Sequence, residues 1–348
     1  MTSNRQMRAS RGAGFTLVEM LVVIVIIGML AGLTTTVLVS ARRSVRNSVV
    51  ASEEAQLSMA LDEYKNRYGE YPPDLSDDEA VLRHIKKRWP RYNVTLETFR
   101  NHIEIGCRIS SGSYNGPIND GNLNGQHVWN PKSYISSLVF WLGGLPDANG
   151  IPSGFYANPK APLGIDANGR YINWRRAARE KPLFSFDRKS LAAVQISNVD
   201  GYDVAYVVED DSLLWDDGIS AYVYAPAICQ GDLPILYFKP SYNSGYQNKG
   251  LYFADDINDV ATMSYATPYA RDVNNGVWYE ERRFQLIHPG ADALFGVPYS
   301  DPNGRGVDIT LPKGTQPKTN CYIEDDDNIV NFAENGVLVG EYQDVVGN

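Results

Sequence analysis

Residues 11–20 read Arg11-Gly-Ala-Gly14-Phe15-Thr16-Leu17-Val18-Glu19-Met20, and LVVIVIIGML and AGLTTTVLV follow over 21–30 and 31–39. From Phe15 to Val39 the one charged side chain is Glu19. As helix, at about 1.5 Å per residue, this stretch reaches roughly 37 Å, enough to cross a hydrocarbon layer of about 30 Å. A cleaved secretory signal fits less well, because its apolar region spans only about 7–15 residues and ends in a small-residue cleavage site. Here the run is longer and gives way to Ala41-Arg42-Arg43. Arg5, Arg8 and Arg11 precede the segment and Arg42, Arg43 and Arg46 follow it, so flanking charge alone does not orient it. A carboxylate in such a helix costs roughly 2.5–3.5 kcal/mol on insertion scales and calls for a cationic partner. A cut just before Phe15 would create an α-amine one helical turn from Glu19, on the same chain or on a neighbouring copy.

The pattern continues outward. Val50, Leu57, Leu61, Tyr64 and Tyr68 mark one apolar helical face, while Arg42, Arg43, Glu53, Glu54, Asp62 and Lys65 are expected on solvated faces. Gly69 and Pro72-Pro73 are stop signals. The spacing therefore predicts one helix from Phe15 to about Tyr68, roughly 80 Å long. Thr34, Thr35 and Thr36 are the weakest helix formers in it. Gly28 and Gly32 form a small-xxx-small pair suited to close helix approach.

The apolar segment is exceptional within the chain. The 348 residues carry 32 basic and 41 acidic side chains, net −9, with an isoelectric point near 5.0 and a mean hydropathy of −0.31. An acidic balance without a concentrated basic surface excludes a nucleic-acid partner as the main reading. The organisation is a polar domain attached to one greasy N-terminal helix.

The run Gly14-Phe15-Thr16-Leu17-Val18-Glu19 ahead of a spanning-length helix resembles the class III signal of type IV pilins and type II secretion pseudopilins. The stretch Leu61-Asp-Glu-Tyr64-Lys-Asn-Arg-Tyr68-Gly69-Glu-Tyr71-Pro72 is similar to the end of the pseudopilin helix. The resemblance implies cleavage between Gly14 and Phe15 by a prepilin peptidase on the cytoplasmic side and N-methylation of Phe15. It implies that Glu19 neutralises the amine of processed Phe15 on an adjacent subunit. It also orients the helix, N-terminus inside, in the inner membrane. The partners implied are the lipid bilayer before assembly, an inner-membrane assembly platform, and identical or homologous pilin subunits in a periplasmic or extracellular filament. Cleavage would remove residues 1–14 with three arginines and no acid, leaving the mature chain more acidic than −9.

The domain expectation is a leader over 1–14, a membrane or filament-core helix over 15–39, a soluble half-helix over 40–69 and a globular domain over 70–348. Within the last, Ser76 and Glu79 read as a capping box for a basic helix ending at Trp89-Pro90. Asn130 and Pro131 read as the start of a helix running through Trp141 to Gly143-Gly144. Strands are expected at 202–208, 221–224, 235–238 and 278–287, and at 329–332 paired with 337–339 across Asn335-Gly336. The fold class is α+β: a long N-terminal helix packed on an antiparallel sheet, pilin-like with large insertions.

Asp120-Gly-Asn122-Leu-Asn124-Gly125 has the first half of an EF-hand loop, but Pro131 stands where the closing Glu belongs, and Asx-Gly turns explain it more simply. His288-Pro-Gly290-Ala-Asp292 and Asp325-Asp326-Asp327-Asn328 resemble the calcium loop of major pseudopilins, which makes Asp292, Asp326 and Asp327, with Asn328 nearby, the candidate calcium ligands. His288 and Ala293 depart from that pattern. No nucleophile elbow, zinc-protease helix, Cys-x-x-Cys or phosphate loop is present, so no catalytic residues are expected. Cys107, Cys229 and Cys321 allow one disulfide of undetermined pairing. The leading function is a structural filament subunit for protein secretion; the competing ones are a minor tip pilin that binds or adheres, and a membrane-tethered enzyme.

Overall fold

The computed structural model describes residues 16–110, 135–147, 149–172, 176–199, 202–208, 221–226, 228, 234–242, 245–246, 250–254, 264–272, 277–290, 294–295 and 328–333. The chain divides into two compact units, Met1–Val45 and Arg46–Asn348.

Helix α1 (Leu17–Tyr68) begins in the first unit and keeps its helical assignment over Thr34–Thr36. There the apolar side chains stand in the open, with Leu17 80%, Ile24 64% and Met29 67% exposed. Nothing lies within 4 Å of the position a Cβ would take at Gly28 or Gly32. Among the described residues no helix is long and apolar enough to cross a membrane. Over 17–32, roughly 24 Å of helix, the described side chains are apolar but for Glu19, and the expected span of 15–39 extends beyond them.

The second unit is built on the rest of α1. Val50, Leu57, Leu61 and Tyr64 are fully buried, as the spacing predicts, and Tyr68 is half-buried. Gly69 ends the helix at φ +80°, with its N–H donating to the Lys65 carbonyl at 2.7 Å. The two prolines that follow offer only carbonyls, and both are used. Tyr237 donates to Pro72 O at 2.7 Å and Trp141 Nε1 to Pro73 O at 2.9 Å.

Three shorter helices pack here: α2 (Asp78–Arg88), α3 (Leu96–Ser110) and α4 (Ser137–Gly143). The N-cap of α2 is Asp77, whose Oδ1 accepts from Glu79 N and Ala80 N at 3.0 Å. The expected Ser76–Glu79 box does not form, because Ser76 donates instead to Asp74 Oδ1 at 2.6 Å. α4 starts at Ser137; Asn130 and Pro131 lie outside the described residues.

A five-stranded sheet has the order β3 (Ala221–Tyr224), β1 (Leu191–Val199), β2 (Tyr202–Val208), β5 (Leu251–Ala254), β6 (Ser264–Ala266). It is mixed rather than wholly antiparallel, since Val204 pairs with Tyr252 in a parallel β2–β5 ladder. A smaller antiparallel sheet has the order β10 (Ile329–Val330), β9 (Gln285–His288), β4 (Leu236–Phe238). A two-stranded pair joins β7 (Ala270–Asp272) to β8 (Val277–Trp278). The expected strand over 278–287 is broken into β8 and β9 by a turn in which Glu280 takes φ +50°. β10 pairs with β9, Ile329 opposite His288; the expected partner at 337–339 lies outside the described residues.

The small sheet is buried on both faces, and its period-2 alternation divides the core. Tyr237 and Leu286 join Leu57, Leu61 and Tyr64 of α1 in one cluster, and Ile329 packs on Val50. Leu236, Phe238, Ile287 and Val330 point the other way, into a second cluster with Val194, Ala205, Val223 and Phe253 of the large sheet. The small sheet thus packs between α1 and part of the large sheet, while Leu191 of β1 and Tyr224 of β3 reach the α1 cluster directly.

Candidate functional site

The head of α1 is a reciprocal cap. Glu19 Oε2 accepts from Thr16 N at 2.8 Å and from Thr16 Oγ1 at 2.8 Å, while Thr16 Oγ1 accepts from Glu19 N at 3.2 Å. Thr16 is the N-cap and Glu19 the third helical residue, the spacing of a capping box. Met20 N donates to Thr16 O at 3.2 Å, closing the first turn. The carboxylate is therefore fixed by its own chain through one oxygen. Its other oxygen, Oε1, makes no hydrogen bond among the described residues. Gly14 and Phe15, where processing is expected, lie outside the described residues.

Where α1 joins α2 a polar chain runs through the aromatic core. Arg88 Nη1 donates to Tyr64 Oη at 2.8 Å, Tyr64 Oη stands 2.6 Å from His84 Nε2, and His84 Nδ1 stands 2.7 Å from Glu70 Oε1. The hydrogen bond from His84 holds the Glu70 carboxyl down to about 2. An ionised Glu70 can only accept, so His84 Nδ1 carries the proton and Nε2 accepts from the Tyr64 hydroxyl. Burial pushes the His84 pKa down and that of Tyr64 up. Arg88 is enclosed, its guanidinium 4.3 Å from the Tyr68 ring centroid, 4.6 Å from Trp89 and 4.5 Å from Phe155, with Glu180 at 3.6 Å. The Glu-His-Tyr order has the look of a nucleophile relay, yet Tyr64 is fully buried beside the Trp141 ring, so its role is to lock the two helices.

A second carboxylate on α1 departs from expectation. Glu54 was assigned to a solvated face and is 1% exposed. It falls on the stripe of Val50, Leu57, Leu61 and Tyr64, four residues after the first and three before the second, so the helix geometry carries it inward. Glu53 beside it accepts from Tyr224 Oη at 2.8 Å, and Asp62 accepts from Tyr71 Oη at 2.6 Å and Arg283 Nη2 at 3.0 Å.

Asp292, Asp326 and Asp327 lie outside the described residues, as do the side chains of Cys107, Cys229 and Cys321 and the whole of Asp120–Gly125. Their described neighbours have structural duties. Asn328 is buried and donates through Nδ2 to Tyr269 Oη at 2.7 Å, and His288 is buried and accepts at Nδ1 from Gly290 N at 3.1 Å. Among the described residues no three His, Cys, Asp or Glu side chains cluster as a metal site.

No curated protein and no solved structure matches the chain. Residues 10–35 match the prokaryotic N-terminal methylation motif, the segment that holds Gly14, Phe15, the Thr16–Glu19 cap and the start of the exposed apolar helix, and this supports a type IV pilin-like precursor.

Proposed function

We propose that this chain is a structural pilin-like subunit, a pseudopilin of a type II secretion or type IV pilus-like machine. It is cleaved between Gly14 and Phe15, methylated on Phe15, held in the inner membrane by 15–39 and then drawn into a filament. The observation that carries this reading is the methylation motif over residues 10–35. The exposed apolar side chains of α1 supply what such a motif needs, a surface that lipid can cover first and neighbouring helices afterwards. Glu19 then has two tasks on its two oxygens. Oε2 caps the helix, and Oε1 takes the methylated amine of Phe15 on the adjacent subunit, where an unpaired charge in an apolar core would be costly.

The test is N-terminal mass analysis of the protein from cells with and without prepilin peptidase, together with Glu19→Ala. The expected result is a peptidase-dependent loss of residues 1–14 plus a methyl group, and a variant that is cleaved and membrane-bound but assembles poorly. An uncleaved wild-type chain, or undiminished filament yield from Glu19→Ala, overturns the reading. A tip-located binding role is the second reading, favoured by the size of the unit Arg46–Asn348. Copy number per filament separates the two, many for a shaft subunit and about one for a tip.

A further inference from the structure

Glu54 is 1% exposed and, among the described residues, neither of its carboxylate oxygens has a hydrogen-bond partner. It stands on α1 between Val50, which packs on Ile329 of β10, and Leu57, which enters the core with Tyr237 of β4 and Leu286 of β9. A carboxylate ionised in such a place costs several kcal/mol, and a buried group without a partner sheds that cost by taking a proton.

The charged and titratable groups around it are already engaged. On its own helix Arg46 lies two turns away, roughly 12 Å along the axis, and its guanidinium donates to the Gly290 carbonyl. Glu53, next in sequence, is held by Tyr224 of β3. From β9, His288 shares the α1-facing side of the sheet with Leu286 and Ile329, and its Nδ1 accepts from Gly290 N. From β4, Tyr237 donates to Pro72 O. Among the described residues no cation pairs with Glu54. Burial is the one cause acting on its pKa, and it raises the value well above 4.5.

We propose that the seam between α1 and the β9–β10 edge is a proton-operated latch, closed while Glu54 carries a proton and loosened when that proton passes to water. The sign follows from the two states. The unfolded carboxyl titrates near 4.5 and the buried one well above it, so the latch contributes its full stability below about 4.5 and loses it as pH rises through the folded value. This device is independent of how the N-terminal helix is processed or assembled.

The test uses the full chain in detergent as wild type, Glu54→Gln and Glu54→Leu, unfolded by denaturant at pH 5 to 9, with amide exchange followed at Ile287, His288 and Ile329. The leucine extends the existing apolar stripe and the glutamine keeps the shape, so a folding failure of one leaves the other informative. The expected result is that the unfolding constant of wild type, divided by that of either variant at the same pH, grows about tenfold per pH unit above 4.5 until the folded value is passed. Exchange at the β9–β10 edge should rise with pH in wild type more than in either variant. His84 and His102 are common to all three proteins, and their contributions cancel in the ratio. A ratio flat with pH overturns the proposal. So does loss of stability on chelating divalent cations in wild type alone, which would show an ionised Glu54 holding a metal.

Discussion

Replacing Tyr64 with Phe removes one oxygen and leaves the ring, with its packing 4.6 Å from Tyr68 and 6.4 Å from Trp141 between centroids. What is lost is the junction of the polar chain. Arg88 Nη1 loses its acceptor at 2.8 Å and His84 Nε2 loses its donor at 2.6 Å, in side chains 3% and 2% exposed. A buried polar group left without a partner costs about 1–3 kcal/mol, so the two together should cost about 2–4 kcal/mol. Against a total stability of about 5–15 kcal/mol this is a large fraction, and for a unit of this size it corresponds to a fall in Tm of about 3–6 °C. The assay is thermal unfolding of the full chain in detergent at pH 7.5, read through near-ultraviolet circular dichroism, to which Trp141 and Trp89 contribute. A loss below about 0.5 kcal/mol would refute the claim that this hydroxyl joins Arg88 to His84. A double-mutant cycle with Glu70→Gln should show coupling, since Glu70 sets the tautomer that lets Nε2 accept. Additivity of the two changes would refute the proton assignment along the chain.

Two further outcomes are expected elsewhere. Gly154 sits at φ +93° with its Cα directly under the Glu180 carbonyl, where a Cβ would collide, so Gly154→Ala should cost more than about 3 kcal/mol and displace the Glu180 partner of Arg88, measured by denaturant unfolding. If Asp292, Asp326 and Asp327 bind calcium, added calcium at about a hundredfold over its Kd should stabilise wild type by about 2.7 kcal/mol and leave the triple alanine variant unmoved. Equal stabilisation of both proteins would remove these residues from consideration.

The helical stripe of α1 was legible because its apolar residues repeat at 3.6 and its end carries Gly69 and two prolines, signals that are local in sequence. Glu54 departs from that reading, because its charge signals exposure while its position between Val50 and Leu57 points inward. Helix α3 and strand β1 went unanticipated. The sequence Asp200-Gly201 between two apolar runs is a hairpin signal, and Val199 of β1 pairs with Tyr202 of β2. The parallel β2–β5 ladder had no local signature at all, since nothing in either strand specifies the direction of a partner some fifty residues away. Two Asp-Ala-Asn-Gly turns, at Asp147 and Asp166, also went unnoticed as a pair. In each the aspartate Oδ1 accepts backbone N–H groups two and four residues on, which makes them structural turns. The Thr16–Glu19 box was readable from the spacing alone. Glu19 serves there as a helix cap, a role separate from pairing with an amine.

The buried titratable groups of the second unit pull stability in opposite directions with pH, and their combination is itself diagnostic. His84, lowered by burial from 6.5, contributes stability that is present above about 6.5 and lost as pH falls through its folded value. Glu70 acts in the same sense, with stability present above 4.5 and lost as pH falls toward about 2. Glu54 acts in the opposite sense from 4.5 upward. Below 6.5 the slopes of His84 and His102, both lowered by burial, oppose that of Glu54, so wild type should rise less steeply with pH there than a protein without the Glu54 carboxyl. Removing the Glu54 charge with Glu54→Gln should uncover the histidine slope, so that stability climbs toward pH 6.5 and then holds. A slope steepened in this way by one buried amide does not arise from surface charge, which is screened and spread over many groups. If the variant instead keeps the wild-type profile at every pH, Glu54 does not hold its proton in the fold as the helix seam requires.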